Sequence, residues 1–392
     1  MRISGSIYLD HQATTPVPEQ VVNKMMPYFY EKFGNPHSVD HSLGWKSAHE
    51  VEKATEQISN FIGAFPDEIY FTSGATESNN LALIGLARKV SAKSKRTRFL
   101  LSEIEHKCVQ EAGKAISHQF TIPVDHIPVN KEGRVSLNVL ENMLGNDVLV
   151  VSIMAVNNEI GTIQDIDNIS RLVRNVGAIF HCDAAQAPIA MDIQELTEKV
   201  DILSLSAHKM YGPKGIGIIF VRRELRNLLE PLFYGGGQQN GLRPGTIPTP
   251  LVVGMSAATE FLTSKDIYQK RLHLSQMREK FIDKLVKLPW PVKLNGVGGH
   301  LRHPGNANLC FMGFVAKDIL QLLQPKIAAS TGSACSSGII EPSYVLKSLG
   351  LSFEDIEASI RFSLGFDTTY EDIEEGIGLI NQSLLKLSKI RY

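Results

Sequence analysis

Between residues 69 and 221, short apolar runs alternate with stretches of helical period, and this limits the fold of the 392-residue chain more than anything else. Val148-Leu-Val-Val-Ser-Ile-Met154 is apolar on both faces and rich in β-branched residues. Such a run suits a strand buried on both sides, as in a parallel sheet covered by helices. Further strands are expected over 68–72, 99–102, 122–128, 178–182, 202–205 and 215–221. Helices are expected between them, from 81 onward and over 107–117, 137–144 and 166–175. The fold class is therefore α/β, with a mostly parallel seven-stranded sheet flanked by helices.

Ahead of this region, a helix is predicted over 17–33, entered through Pro16 and Pro18 and ended near Gly34. A second is predicted over 47–62, with Gly63 as its stop. After Gly254 the pattern changes to helices over 251–262, 268–285, 317–323, 343–349 and 370–387, with short strands at 292–294, 307–311 and 359–363. A smaller α+β domain is expected there. The division is 16–262 for the large domain, with 1–15 and 263–392 forming the small one.

Charge and cysteine content narrow the class of function. With 40 basic and 41 acidic side chains, the net charge is −1, and no face for nucleic acid or membrane is expected. No run is long enough to span a bilayer, and the first ten residues lack the apolar segment of a secretory signal. Cysteines stand at 108, 182, 310 and 335, with no Cys-x-x-Cys pair, so no metal site is expected and a reducing cytoplasm fits.

Several strand ends carry polar groups, where open α/β sheets bind ligands. Strand 202–205 runs into Ser206-Ala-His208-Lys209, an amine beside groups suited to an anion. Thr72-Ser-Gly-Ala75-Thr76 reads either as an anion cradle at a helix start or as a plain N-cap by Ser73 or Thr76. Asp183 closes another strand, with Gln186 nearby; it suits a protonated ring nitrogen or a structural ion pair. His106 suits stacking and proton transfer, or simple partial burial. Asn157-Asn158 follows the most apolar strand, as a site or as a turn. Arg361 sits in an apolar strand and needs an anion, either a substrate carboxylate or an internal partner. Cys335, in Ser333-Ala-Cys-Ser-Ser-Gly338, lies among small residues with no apolar cover in sequence, which favours a reachable nucleophile. Cys182 and Cys310 read as core, and Cys108 is undecided.

Taken together, these segments resemble a pyridoxal-phosphate-dependent cysteine desulfurase of fold type I, the aminotransferase class V group. The resemblance covers almost the whole chain. It rests on Tyr8-Leu-Asp-His-Gln-Ala-Thr-Thr-Pro, Phe33-Gly-Asn-Pro-His-Ser, Phe71-Thr-Ser-Gly-Ala-Thr-Glu-Ser-Asn-Asn, Glu105-His-Lys, Val156-Asn-Asn-Glu-Ile-Gly and His181-Cys-Asp-Ala-Ala-Gln. Ser206-Ala-His-Lys-Met-Tyr-Gly-Pro-Lys-Gly, Arg243-Pro-Gly-Thr and Ser333-Ala-Cys-Ser-Ser complete it. Pro244 replaces a frequent serine or threonine, and Ala155 a common histidine.

The resemblance implies that Lys209 forms the Schiff base with the cofactor aldehyde and acts as α-proton base. Asp183 would hold the pyridinium and Gln186 the ring hydroxyl, while His106 would stack on the ring. Ala75, Thr76, Ser206 and His208 would bind the phosphate, joined by Thr246 from the second subunit of a homodimer. Asn158 and Arg361 would hold L-cysteine, and Cys335 would take its sulfur as a persulfide, leaving L-alanine. The loop at about 330–342 is of the long, group I kind. The acceptor implied first is an iron–sulfur scaffold protein, with tRNA thiolation or DNA phosphorothioation left open, as is another lyase or aminotransferase on the same cofactor.

Overall fold

In a computed structural model of the chain, which describes residues 2–90, 94–332 and 342–390, the expected alternation forms one central sheet. Numbered along the chain, two short strands come first, β1 (Arg2–Ile3) and β2 (Ser6–Tyr8). The central sheet takes β3 (Ile69–Thr72), β4 (Arg98–Ser102), β5 (Val124–Ile127), β6 (Val148–Ser152), β7 (Ile179–Asp183), β8 (Ile202–Ser206) and β9 (Gly217–Val221). Their spatial order is β3-β9-β8-β7-β6-β4-β5. Strands β5, β4, β6, β7 and β8 pair in parallel, whereas β9 is antiparallel to both its neighbours. The sheet is thus seven-stranded and mostly parallel, as the sequence predicts.

Strand period explains how it is covered. Phe99 and Leu101 of β4 face one apolar cluster with Leu83, Leu86 and Val109 of the helices Ala75–Lys89 and Lys107–Phe120. Leu100, between them, faces the other cluster, with Ile58, Ile169 and Met255 of the helices Ser42–Ile62, Ile166–Asn175 and Thr249–Leu262. Both faces are dry, so the carboxyl ends of the parallel strands are where polar chemistry can sit.

The remaining strands are β10 (Val292–Leu294), β11 (Asn306–Phe311), β12 (Ile327–Ala328) and β13 (Ser359–Ser363). β10, β11 and β13 form an antiparallel sheet, while β12 pairs in parallel with β2. A backbone bridge between Asp10 and Ser363 then ties the start of the chain to β13. Among the described residues, no helix is long and apolar enough to cross a membrane.

Three helices differ from expectation. The one expected over 17–33 is split into Glu19–Met25 and Pro27–Tyr30. Pro27 has no N–H for the carbonyl one turn back. The helix expected from 47 begins at Ser42, where the His41 side chain accepts the Gly44 N–H, a cap that residue preferences do not signal. The helix expected from 81 begins at Ala75, and its first turn therefore reaches the sheet edge.

Candidate active site

A cavity of about 880 Å³ opens beyond the carboxyl ends of β7 and β8. Lys209 enters it from a single 3-10 turn, Ala207–Lys209, that continues β8. Its Nζ donates to the carbonyls of Gln12 at 2.6 Å and Ala13 at 2.7 Å. Burial, followed by the charge of Arg361, lowers its pKa to about 8, while Asp10 and Asp183 pull the other way. An ammonium held this way loses its proton far more readily than an exposed lysine.

Asp183 ends β7 and is buried. Its Oδ2 accepts from Asn79 Nδ2 at 2.7 Å, and its Oδ1 accepts from the Ala185 N–H at 2.9 Å. Two neutral donors keep the carboxylate in place without supplying a countercharge, so it can still meet a cationic ring nitrogen in the cavity. Gln186 also lines the cavity and donates from Nε2 to the Gln12 carbonyl at 3.0 Å.

His106 follows β4 and caps the helix Lys107–Phe120. Its Nδ1 accepts the Cys108 N–H at 3.2 Å and lies 3.0 Å from Cys108 Sγ. Burial lowers the ring's pKa; Asp183 opposes this and Lys209 adds to it. Burial likewise pushes the Cys108 thiol up to about 12.

At the other end of the cavity, the helix Ala75–Lys89 starts from Gly74 at φ 148° with no side-chain cap. Neither Ser73 nor Thr76 takes the capping role, and Ala75 and Thr76 line the cavity. Free first-turn N–H groups favour an anion there. Ser206, at the end of β8, lies against this turn: a Cβ on Gly74 would be 3.4 Å from its Oγ. His208 also lines the cavity, and its Nδ1 is 3.2 Å from Thr14 Oγ1. Burial, then Lys209 and Lys214, lowers its pKa to about 4, so its ring is neutral near pH 7.

Arg361, in β13, reaches the cavity from the antiparallel sheet. Its guanidinium donates to the Asn158 carbonyl at 2.9 Å, Ser330 Oγ at 2.9 Å and Asp10 Oδ1 at 2.7 Å. The Arg361 Nε is buried and has no partner among the described residues. Asn158 lines the same wall.

The cavity thus brings together Ala75, Thr76, His106, Asn158, Asp183 and Gln186. Ser206, His208, Lys209 and Arg361 join them. Thr246 is exposed and does not line it. Cys335 lies outside the described residues; Thr331 and Gly332, just before its segment, do line the cavity. Cys182 and Cys310 are buried core, as read from their apolar settings.

Sequence reasoning assigned no role to Asp10, Gln12, Asn79 or Ser330, and left Cys108 undecided. Asn79 had the clearest signal: it lies one helical turn beyond Ala75 and Thr76, on the helix that starts at the site.

A family profile described as Aminotransferase class-V matches residues 7–375. The cysteine desulfurase IscS of Rickettsia massiliae (strain Mtu5) is 41% identical over 391 residues, covering 99% of this chain and 93% of its own length. A solved NIFS-like protein shares 32% identity at a TM-score of 0.89, over 98% of this chain and 99% of its own. A solved structure of SspA in complex with cysteine shares 34% identity at a TM-score of 0.78, over 91% and 98% respectively.

Proposed function

The chain belongs to the pyridoxal-phosphate-dependent cysteine desulfurases of the aminotransferase class-V family, and from that premise we propose how its residues divide the work. It is an enzyme that takes sulfur from L-cysteine. The single observation that carries the assignment of roles is one cavity shared by an amine of lowered pKa, a buried carboxylate and an uncapped helix start. Those three groups fit the aldehyde, ring nitrogen and phosphate of pyridoxal phosphate.

When bound, the cofactor supplies a protonated ring that draws electrons from the substrate α-carbon. Asp183 would hold the ring nitrogen, with Asn79 and the Ala185 N–H fixing its orientation. Gln186 would face the ring hydroxyl and His106 the ring itself. Ala75, Thr76, Ser206 and His208 would hold the phosphate. Lys209 would carry the cofactor and then, displaced by substrate and neutral, take the α-proton. Arg361 would take the substrate carboxylate beside Asn158; its buried Nε has no partner among the described residues.

Cys335 would attack the substrate sulfur as thiolate: an S–S bond forms, the C–S bond breaks, and L-alanine leaves after reprotonation. An acceptor protein, in our reading an iron–sulfur scaffold, would then take the terminal sulfur. The support is the Ser333-Ala-Cys-Ser-Ser stretch in the sequence and the full-length likeness to proteins named cysteine desulfurase IscS.

A homodimer is part of the reading. Thr246 is exposed, as a residue lent to a second copy must be. Exposed Phe29, Tyr30, Phe33 and Trp45 give an apolar surface for that copy to cover. The division into 16–262 and 1–15 with 263–392 is supported by the central sheet, which lies wholly within the former. A cytoplasmic location is supported by the sparse cysteines.

The test is a Cys335→Ser protein. It should bind pyridoxal phosphate and L-cysteine yet release almost no sulfide with a reductant. In the parent, mass spectrometry after L-cysteine should find one added sulfur on the peptide holding Cys335. Full sulfide release by the variant would overturn the persulfide role.

A further inference from the structure

Two residues that flank Cys335 in sequence, Gly332 and Ser343, meet on one side chain, that of Glu159. A Cβ on Gly332, at φ 85°, would fall 2.7 Å from Glu159 Cγ. From the other flank, the Ser343 hydroxyl hydrogen-bonds the Glu159 carboxyl. The same hydroxyl accepts the Leu346 N–H at 3.1 Å and so caps the helix Tyr344–Ser348.

Glu159 is buried, and its backbone is held firmly. Asn157 Oδ1 accepts its N–H at 2.8 Å. Its carbonyl accepts from Asn306 Nδ2 at 3.0 Å and Asn308 Nδ2 at 3.1 Å, both on β11. Each flank is also tied to the edge of the cavity. Ser330, two residues before Gly332, takes the Arg361 N–H on its carbonyl at 2.8 Å, and Gly332 itself lines the cavity. Tyr344, just after Ser343, donates its hydroxyl to the Glu105 carbonyl at 2.6 Å, next in sequence to His106. One flank thus lies along Arg361 and the other against Glu105, with Glu159 touching both. A buried carboxyl is a costly way to fill that space. An apolar side chain of similar size would meet Gly332 as well; what the carboxyl adds is an acceptor for Ser343.

We propose that Glu159 is a positioning residue for the sulfur-transfer step. It seats Gly332 on its stem and Ser343 on its carboxyl, and so fixes at the cavity the two points from which the stretch holding Cys335 is hung. The inference rests on reading Cys335 as the group that takes the sulfur.

The test separates the half of the reaction that needs Cys335 from the half that does not. Exchange of the α-hydrogen of L-alanine with deuterated water, followed by proton NMR on the holoenzyme, needs Lys209 but no thiol. Persulfide formation from L-cysteine, followed by mass spectrometry after rapid quenching, needs the thiol in place as well. Glu159→Asp withdraws the carboxyl by one methylene. Its persulfide formation should slow at least about tenfold while exchange stays within about twofold of the parent. Glu159→Gln keeps the length and an acceptor for Ser343, and should hold both rates within about threefold of the parent. Gly332→Ala pushes on the same contact from the other flank and should show the same split as Glu159→Asp. Parallel loss of both rates in Glu159→Asp makes Glu159 a support for the fold or for Arg361 and overturns the proposal. A persulfide rate unchanged in both Glu159→Asp and Gly332→Ala overturns it as well. A Cys335→Ser protein checks the premise separately: it should keep exchange, and sulfide release from it at the parent's rate refutes the role of Cys335 and this proposal with it.

Discussion

Nδ1 of His106 meets one residue twice: the backbone N–H of Cys108 donates to it at 3.2 Å, and the Cys108 Sγ lies 3.0 Å from it. A backbone N–H can only donate, so Nδ1 must accept. The thiol, pushed up to about 12 by burial, keeps its proton and donates as well. The neutral ring therefore carries its hydrogen on Nε2, and protonation of Nδ1 would break the cap of the helix Lys107–Phe120.

His106 should thus stay neutral to lower pH than a free histidine, whose pKa is about 6.5. Nitrogen-15 spectra of histidine-labelled holoenzyme, assigned with a His106→Gln protein, should show the Nε2–H form with a midpoint below that value. A ring protonated on Nδ1, or a midpoint at or above 6.5, would show that helix capping does not set its state. The same sign has a consequence for stability. The unfolded chain takes up this proton first, so the contribution of His106 falls as pH drops below about 6.5.

Lys209 gives the complementary prediction. With its pKa lowered to about 8, the neutral amine appears between pH 7 and 9. The rate at which apo-protein takes up pyridoxal phosphate, followed by absorbance, should rise with pH, inflect near 8 and then level off. Replacing Arg361 by Gln removes a positive neighbour and should move the inflection upward. An inflection near 10.5, the ordinary lysine value, would mean that burial does not tune this amine.

Glu159 is a buried acid whose pKa is raised to about 7 by burial, against the pull of the Ser343 hydroxyl and Arg361. Its Oε1 has no partner among the described residues. An acid raised in the folded state keeps a proton that the unfolded chain has lost, so its contribution to stability falls as pH rises from about 4.5 to 7. The full effect is on the order of 3 kcal/mol. Glu159→Gln removes the charge and keeps the shape. Its stability in urea relative to the parent should therefore grow between pH 5 and pH 8. A difference independent of pH would place the carboxyl in contact with water or a cation.

Much of the site could be read along the chain, because Lys209, Asp183 and His106 each follow the end of an apolar strand, and parallel strands end on one side. The residues that steady them could not. Asn79 meets Asp183 across 104 positions, and Asp10 meets Arg361 across 351. Such contacts depend on how the helix Ala75–Lys89 lies on the sheet and on the Asp10–Ser363 bridge, neither of which leaves a periodic signal. The break at Pro27 was legible in principle, since an interior proline costs a helix one hydrogen bond; the apolar spacing on either side of it hides the break.

The helix start that would hold the phosphate depends on a close backbone approach. Gly217 of β9 pairs with Thr72 on one side and Ser206 on the other, just behind Gly74. A Cβ at Gly217 would come 2.4 Å from the Leu205 carbonyl and 2.7 Å from Gly74 Cα. Both obstacles are backbone atoms and cannot rotate away, so Gly217→Ala must push β8 or the Gly74 turn outward. Either shift moves Ser206 and the N–H groups of Ala75 and Thr76 apart. Pyridoxal phosphate should then bind at least about tenfold more weakly, about 1.4 kcal/mol, as measured by titration of apo-protein. Gly378 is the control: it lies in the exposed part of the helix Tyr370–Ile390 and has no atom within 4 Å of an added Cβ. Gly378→Ala should stabilise the protein by about 0.5–1 kcal/mol and leave cofactor affinity unchanged. If Gly217→Ala costs stability yet binds the cofactor as tightly as the parent, the cradle tolerates displacement and the phosphate is held elsewhere.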